Sequence, residues 1–153
     1  KLSLKDIDSV LDVNLRGSLL TAREGAIRMT GDSASRARRR IIFISSILGT
    51  KPESGAATYN ATKAGVNLLS KSLAIEWAKH GITVNTVSPG YMQTEIIDEF
   101  FEKPAGEAMI NRWPAKEFMP IAALDPAVLF LLSESAQFTT GAEIIVDEGQ
   151  SLT

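Results

Sequence analysis

Apolar residues in the first thirty positions recur every three or four places: Ile7, Leu11, Leu15, Leu19, Ala22 and Ala26. That period predicts one amphipathic helix, opened by a capping box at Ser3 in "SLKD" and closed at Gly31. The pattern then changes. "RIIFISS" carries the unbroken run Ile41, Ile42, Phe43 and Ile44, which suits a short strand covered on both faces, as in a parallel sheet. A loop containing Gly and Pro, "ILGTKPESGAA", leads into a second helical pattern whose inward stripe is Val66, Leu69, Leu73 and Trp77. Gly81 ends that helix, and "ITVNTV" predicts a second strand stopped by "SPG". From Tyr91 to Ala123, helical patches are broken by Pro104, Pro114 and Pro120, a pattern closer to a lid than to a plain crossover. "LDPAVLFLLSES" predicts a helix with Asp125 as N-cap, Pro126 at the first helical position and burial all round from Ala127 to Leu132. "AEIIVDEG" supplies a last short strand.

Strands alternating with helices argue for an open parallel α/β sheet with helices on its faces. Three strands are only part of a doubly wound sheet. The length, 153 residues, is that of one domain, and such a domain buries roughly 68–70% of its unfolded surface. A net charge of −2 gives no general reason to expect nucleic acid or an anionic membrane as partner. The one basic cluster, Arg36 to Arg40, reads as a solvated loop. Without cysteine there is no disulfide frame and no thiolate metal site. His80 stands alone, and HExxH is absent, so no metal centre is expected. No apolar stretch reaches the ~18 residues of a membrane span. These features fit a cytoplasmic enzyme or binding domain.

Candidate chemistry begins with "AATYNATKAG", residues 56–65. Tyr59 and Lys63 are four apart and share one helix face, among Ala56, Ala57, Ala61, Ala64 and Gly65. Taken alone, the pair reads as an ordinary exposed contact. Its neighbours change that. Sites of open α/β sheets lie at the carboxyl ends of the strands, where this sequence puts Ser45 and Ser46 after one strand and Ser88, Pro89 and Gly90 after the next. Asn14 interrupts the apolar rhythm of the first helix. A hydroxyl, a phenol, an ammonium and a carboxamide can therefore converge on one rim. Ser45 reads as a strand-end residue, Asn85 as a partner for backbone groups, His80 as a helix C-terminal residue and Trp77 as core or subunit contact.

"DVNLRG", "IIFISSILG", "YNATK" and "NTVSPGYMQT", in this order and spacing, resemble the short-chain dehydrogenase/reductase family from Lys1 to Gly149. The resemblance implies a Rossmann-like doubly wound fold, of which residues 1–153 are the C-terminal, catalytic part. The glycine-rich dinucleotide-binding half lies outside this sequence. It implies an oxidoreductase that passes hydride between NAD or NADP and a secondary alcohol or ketone. Tyr59 is then the general acid or base, its phenolate favoured by Lys63 and by an oxidised nicotinamide. Ser46 holds the substrate oxygen, Lys63 also holds the nicotinamide ribose, and Asn14 anchors a water linking Lys63 to solvent. The Pro89–Gly90 turn, the Met92 backbone and the Thr94 hydroxyl face the cofactor. Tyr91 either lines the substrate pocket or packs under the lid. In relatives the Tyr59 helix packs on its counterpart in another subunit, which implies a homodimer or homotetramer. Glu148 stands where relatives usually have a glycine, which bears on the terminal turn. The tail resembles 3-oxoacyl-carrier-protein reductases and polyol or sugar-acid dehydrogenases. A lid holding Glu95, Phe100, Phe101, Arg112 and Trp113 favours a polar polyol or keto-sugar over a steroid. The second reading is a non-catalytic fragment unable to bind dinucleotide alone.

Overall fold

The computed structural model describes residues 2–31, 39–94, 101 and 103–153. Its core is a three-stranded sheet in the order β1 (Arg39–Ile44), β2 (Ile82–Pro89), β3 (Glu143–Val146), all parallel. Alternation along the strands divides two apolar cores between opposite faces. On one face Phe43, Ile82 and Val84 pack with Ala22, Ala26, Val66, Leu73 and Ala74. On the other, Val87 packs with Leu131 and Ala136, flanked by Ile42, Ile144 and Val146. Helices on both faces of a parallel sheet are the layering expected from the alternating pattern. β2, in the middle, is buried at every position.

The first helix is one continuous run of α1 (Leu4–Leu11), a π-helical turn (Asp12–Arg16) and α2 (Gly17–Gly31). Its capping box forms as expected: Asp6 N–H donates to Ser3 Oγ at 3.2 Å, and Ser3 N–H donates to Asp6 Oδ2 at 3.1 Å. The π turn centres on Asn14 and is marked by a five-residue bond from Gly17 N–H to Asp12 O. Of the predicted inward stripe, Ala22 and Ala26 are buried, whereas Leu11 and Leu19 are 38% and 42% exposed. α3 (Ala57–Trp77) buries Val66 and Leu73, with Leu69 and Trp77 packed at the edge of the same core. Gly81, at φ 70°, closes it in the left-handed region that suits glycine.

Five expectations need correction. Arg39 and Arg40 open β1 instead of lying in a solvated loop, and Arg40 Nη2 donates to Ser133 O at 2.8 Å; Arg36 lies outside the described residues. β1 packs on both faces, Phe43 against one core and Ile42 against the other, but its cover is partial, since only Phe43 is fully buried and Ile44 is 49% exposed. β2 runs through Ser88 and Pro89 before it stops. Finally, in α5 (Asp125–Leu132) Asp125 is already helical and Leu124 is the cap, without a side-chain bond. Only Leu131 of that helix is buried; Leu129, Phe130 and Leu132 are exposed. An all-apolar run states that a helix can be buried, but not which sides have neighbours.

Candidate active site

The cleft opens where the β1–β2 ladder ends. Ser45 N–H donates to Val87 O at 2.8 Å, and the next rung would need an N–H at position 89, which proline lacks. The chains part there, and Gly90 N–H turns to Val146 O of β3 at 2.9 Å. Between the parted ends lies a pocket of about 460 Å³ lined by Ser46, Ile47, Leu48, Tyr59, Gly90, Tyr91 and Thr94. Three hydroxyls expected from the sequence, those of Ser46, Tyr59 and Thr94, thus meet in one cavity.

Ser46 is extended and caps the short turn Ile47–Gly49, whose Leu48 N–H donates to Ser46 Oγ at 3.1 Å. That bond fixes the oxygen and leaves the hydroxyl proton to donate outward. The turn sits directly on α3. A Cβ on Gly49 would lie 2.8 Å from Asn67 Nδ2 and 3.0 Å from the Lys63 carbonyl carbon. Glycine there sets the distance between the serine and the Tyr59–Lys63 helix. Ser45 points the other way, buried, with Oγ donating to Lys63 O at 3.2 Å. It is a latch between strand and helix, in keeping with a strand-end role.

Lys63 Nζ lies 5.4 Å from the Tyr59 ring centroid and donates to Ile44 O at 3.1 Å. Burial disfavours its charge and pulls its pKa below the ordinary lysine value. Asn14 does not reach Lys63 by a direct bond. Its Nδ2 donates to Thr62 Oγ1 at 3.2 Å, and its carbonyl accepts from Ser18 Oγ at 2.6 Å. The π turn therefore ties Asn14 to the residue preceding the lysine.

The remaining sequence candidates divide. Pro89 is paired with Val146 in the ladder and lies outside the pocket lining. Met92 forms a bridge with Met119 through bonds to Tyr91 O and from Gln93 N, so its own amide and carbonyl have no partner among the described residues. Gly90 lines the pocket, and a Cβ there would meet protein, 2.5 Å from Gln150 Oε1 and 2.8 Å from Asp147 Cβ. Tyr91 has two contacts of note. It lines the pocket, and it stacks on Trp113 at 5.2 Å with Phe101 edge-on at 5.7 Å. Its pKa is pushed up to about 12, first by burial and then by Glu53 and Tyr59, so its phenol stays protonated at neutral pH. Phe101 and Trp113 are buried, and α4 (Pro104–Ile110) leads into that aromatic cluster. Glu95 and Phe100 lie outside the described residues; Arg112 is exposed.

Asn85 satisfies backbone as expected, donating to Thr139 O at 2.9 Å and accepting from Ala142 N at 3.0 Å. Glu148 sits at φ 48° and Gly149 at φ 80°. A left-handed pair explains why glycine would be favoured at 148, and the glutamate carries some backbone strain there. Asp147 compensates. Burial alone would raise its carboxyl, but bonds from Ser151 and Gly149 and the charge of Lys51 hold it below its ordinary value. Gln150 was missed in the sequence, because a lone glutamine beyond the last strand carries no periodic or motif signal. Among the described residues no group of three or more potential metal ligands occurs, and no helix is long and apolar enough to cross a membrane.

This geometry has known relatives. The profile of the family described as Enoyl-(Acyl carrier protein) reductase matches residues 1–151. The 3-oxoacyl-[acyl-carrier-protein] reductase FabG of Rickettsia conorii is 38% identical, over 95% of this chain and 58% of its own. Among solved structures, a gluconate 5-dehydrogenase from Burkholderia cenocepacia in complex with NADP and tartrate superposes with a TM-score of 0.91 at 29% identity, covering 99% of this chain and 58% of that one. A 4-hydroxyisoleucine dehydrogenase complexed with NADH gives a TM-score of 0.90 at 31% identity, over 99% and 62%. The chain belongs to the short-chain dehydrogenase/reductase family. It spans about 58% of the length of the curated relatives it matches.

Proposed function

We propose that this chain is the C-terminal, catalytic part of a single Rossmann-like domain in an NAD(P)-dependent oxidoreductase, acting on a secondary alcohol or ketone in the cytoplasm. The observation that carries the proposal is the convergence of Ser46 and Tyr59 in one pocket, with Lys63 Nζ 5.4 Å from the phenol ring. Polar groups in and around the pocket suit a nicotinamide riboside: the Thr94 hydroxyl lines it, and the Met92 backbone between Tyr91 and Thr94 and the Lys63 ammonium one turn from Tyr59 match a carboxamide and ribose hydroxyls. When bound, the nicotinamide supplies or accepts the hydride. Ser46 donates to the substrate oxygen, where negative charge builds as the carbonyl is reduced. Tyr59 gives that oxygen its proton in reduction and takes it back in alcohol oxidation. Lys63 sets a cation 5.4 Å from the phenol ring and passes protons on through a water anchored at Asn14. Tyr91, protonated and stacked, forms the wall facing the substrate.

The FabG relative acts, by its name, on a 3-oxoacyl carrier protein, and the Burkholderia relative, by its name, on gluconate. Pocket walls that mix Ile47 and Leu48 with Ser46, Tyr59 and Tyr91 fit a 3-oxoacyl thioester, polyol or keto-sugar. The test is nicotinamide absorbance of the full-length protein with NADH or NADPH over a panel of these ketones. Turnover of at least one is expected; none, with cofactor binding intact, would contradict the proposal.

The same proposal includes a homodimer or homotetramer. Leu11, Leu15 and Leu19 of the first helix and Ala64, Gly65 and Leu68 of α3 line an apolar groove of about 870 Å³. Leu68 is 67% exposed beside it, and burying such a side chain contributes about 1.5–3 kcal/mol. Leu68→Glu in the full-length protein should shift the light-scattering mass toward the monomer. An unchanged mass would place the subunit contact elsewhere.

A further inference from the structure

Gln150 is 2% exposed and has no part in the hydride-transfer scheme, yet its carboxamide holds both backbone groups of one pocket residue. Tyr91 N–H donates to Gln150 Oε1 at 2.6 Å, and Gln150 Nε2 donates to Tyr91 O at 3.4 Å. A buried amide satisfied at both ends by the backbone of one residue acts as a clasp. The clasp is itself fixed. Gln150 N–H donates to Asp147 O at 2.9 Å, and Lys51 Nζ, from the loop after the Ser46 turn, donates to Gln150 O at 2.9 Å. The amide also explains Gly90, since any Cβ there would stand 2.5 Å from Gln150 Oε1. On the other side of Tyr91, the stacked Trp113 precedes Pro114, which lies against Gly149.

We propose that Gln150 is a positioning residue for substrate. By clasping the Tyr91 backbone, it sets the tyrosine wall at a fixed distance from Ser46 and Tyr59, and so tunes substrate affinity. The proposal rests on the oxidoreductase reading for its kinetic effect, but not for its structural one.

The test uses the full-length protein and the best ketone of the panel. Gln150→Met keeps length and volume but removes the clasp. It should lower kcat/KM about tenfold, through a raised substrate KM with kcat within about twofold. In a Tyr91→Ala background the same substitution should add no further loss, because the side chain it acts through is gone. Equal losses in both backgrounds would make Gln150 a merely structural residue and overturn the proposal, as would no loss in either. Should Gln150→Met fail to fold, Gln150→Asn keeps the amide one methylene short of Tyr91, and is held to the same outcomes. If the wild-type protein turns over no ketone, the oxidoreductase reading fails, and the clasp is judged separately by fluorine NMR. The 5-fluorotryptophan resonance of Trp113, assigned by its loss in Trp113→Phe, should move in the clasp variant; an unmoved resonance would overturn it.

Discussion

Tyr59→Phe in the full-length protein is expected to lower turnover about a thousandfold while leaving cofactor affinity and melting temperature nearly unchanged. A positioned acid or base contributes typically 10²–10⁴-fold, so a thousandfold loss corresponds to about 4 kcal/mol of transition-state stabilisation. The substitution is unusually clean. Phenylalanine keeps the ring beside Lys63, and the Tyr59 hydroxyl has no hydrogen-bond partner among the described residues, so none is orphaned. Its backbone still accepts from Thr62 Oγ1 at 2.7 Å. Tyr91 is a poor replacement as a base, because burial first, then Glu53 and Tyr59, push its pKa up to about 12. Turnover in Tyr59→Phe within tenfold of wild type would end the proposed acid/base role. Steady-state kinetics with cofactor titration by fluorescence make the measurement.

Lys63→Ala should damage both chemistry and cofactor binding. Loss of the cation is expected to lower kcat about a hundredfold, or about 2.7 kcal/mol, and to weaken nicotinamide cofactor binding as well. It also leaves Ile44 O without the ammonium that bonds it, at a cost of about 1 kcal/mol in stability. Lys63→Arg is no rescue, since the planar guanidinium presents its charge in a different place. The lysine also sets a pH dependence with two opposite signs. Because burial lowers its folded-state pKa, the cation needed for catalysis is lost at a pH below the ordinary 10.5, and activity should fall on that side. Stability moves the other way. In the window between the folded and unfolded values the unfolded chain binds more protons, so this group's contribution to stability rises with pH. An activity profile flat through pH 10.5 would contradict the role given to the ammonium.

The strands and the meeting of the candidate residues Ser46 and Tyr59 could be read from the sequence for a simple reason: both rest on local rules. Ile41 to Ile44 and Ile82 to Val87 announce strands by their side chains, though not that the second runs on through Pro89. Tyr59 and Lys63 are fixed on one face by helical geometry, and Ser46 follows its strand directly. What could not be read depends on contacts distant in sequence or between chains. Leu11, Leu19, Leu129 and Leu132 have the periodicity or the apolarity of core residues, yet are exposed in the isolated chain. Hydrophobicity specifies a face to be covered but not whose atoms cover it. The π turn at Asn14 adds no residue type that an α-helix would lack. Gly90 was legible as a close approach, but the approaching group, the amide of Gln150 sixty positions later, was not. Glu148 at positive φ runs against residue preference, and the Asp147 bonds that hold the turn become visible only in three dimensions.

The most direct test of the account is a ternary structure of the full-length protein with nicotinamide cofactor and a ketone or alcohol that it turns over. The account predicts the substrate oxygen within hydrogen-bond distance, about 2.6–3.2 Å, of both the Tyr59 hydroxyl and Ser46 Oγ, with the nicotinamide ring alongside. A substrate oxygen held by other groups, with Tyr59 and Ser46 both out of reach, would contradict it.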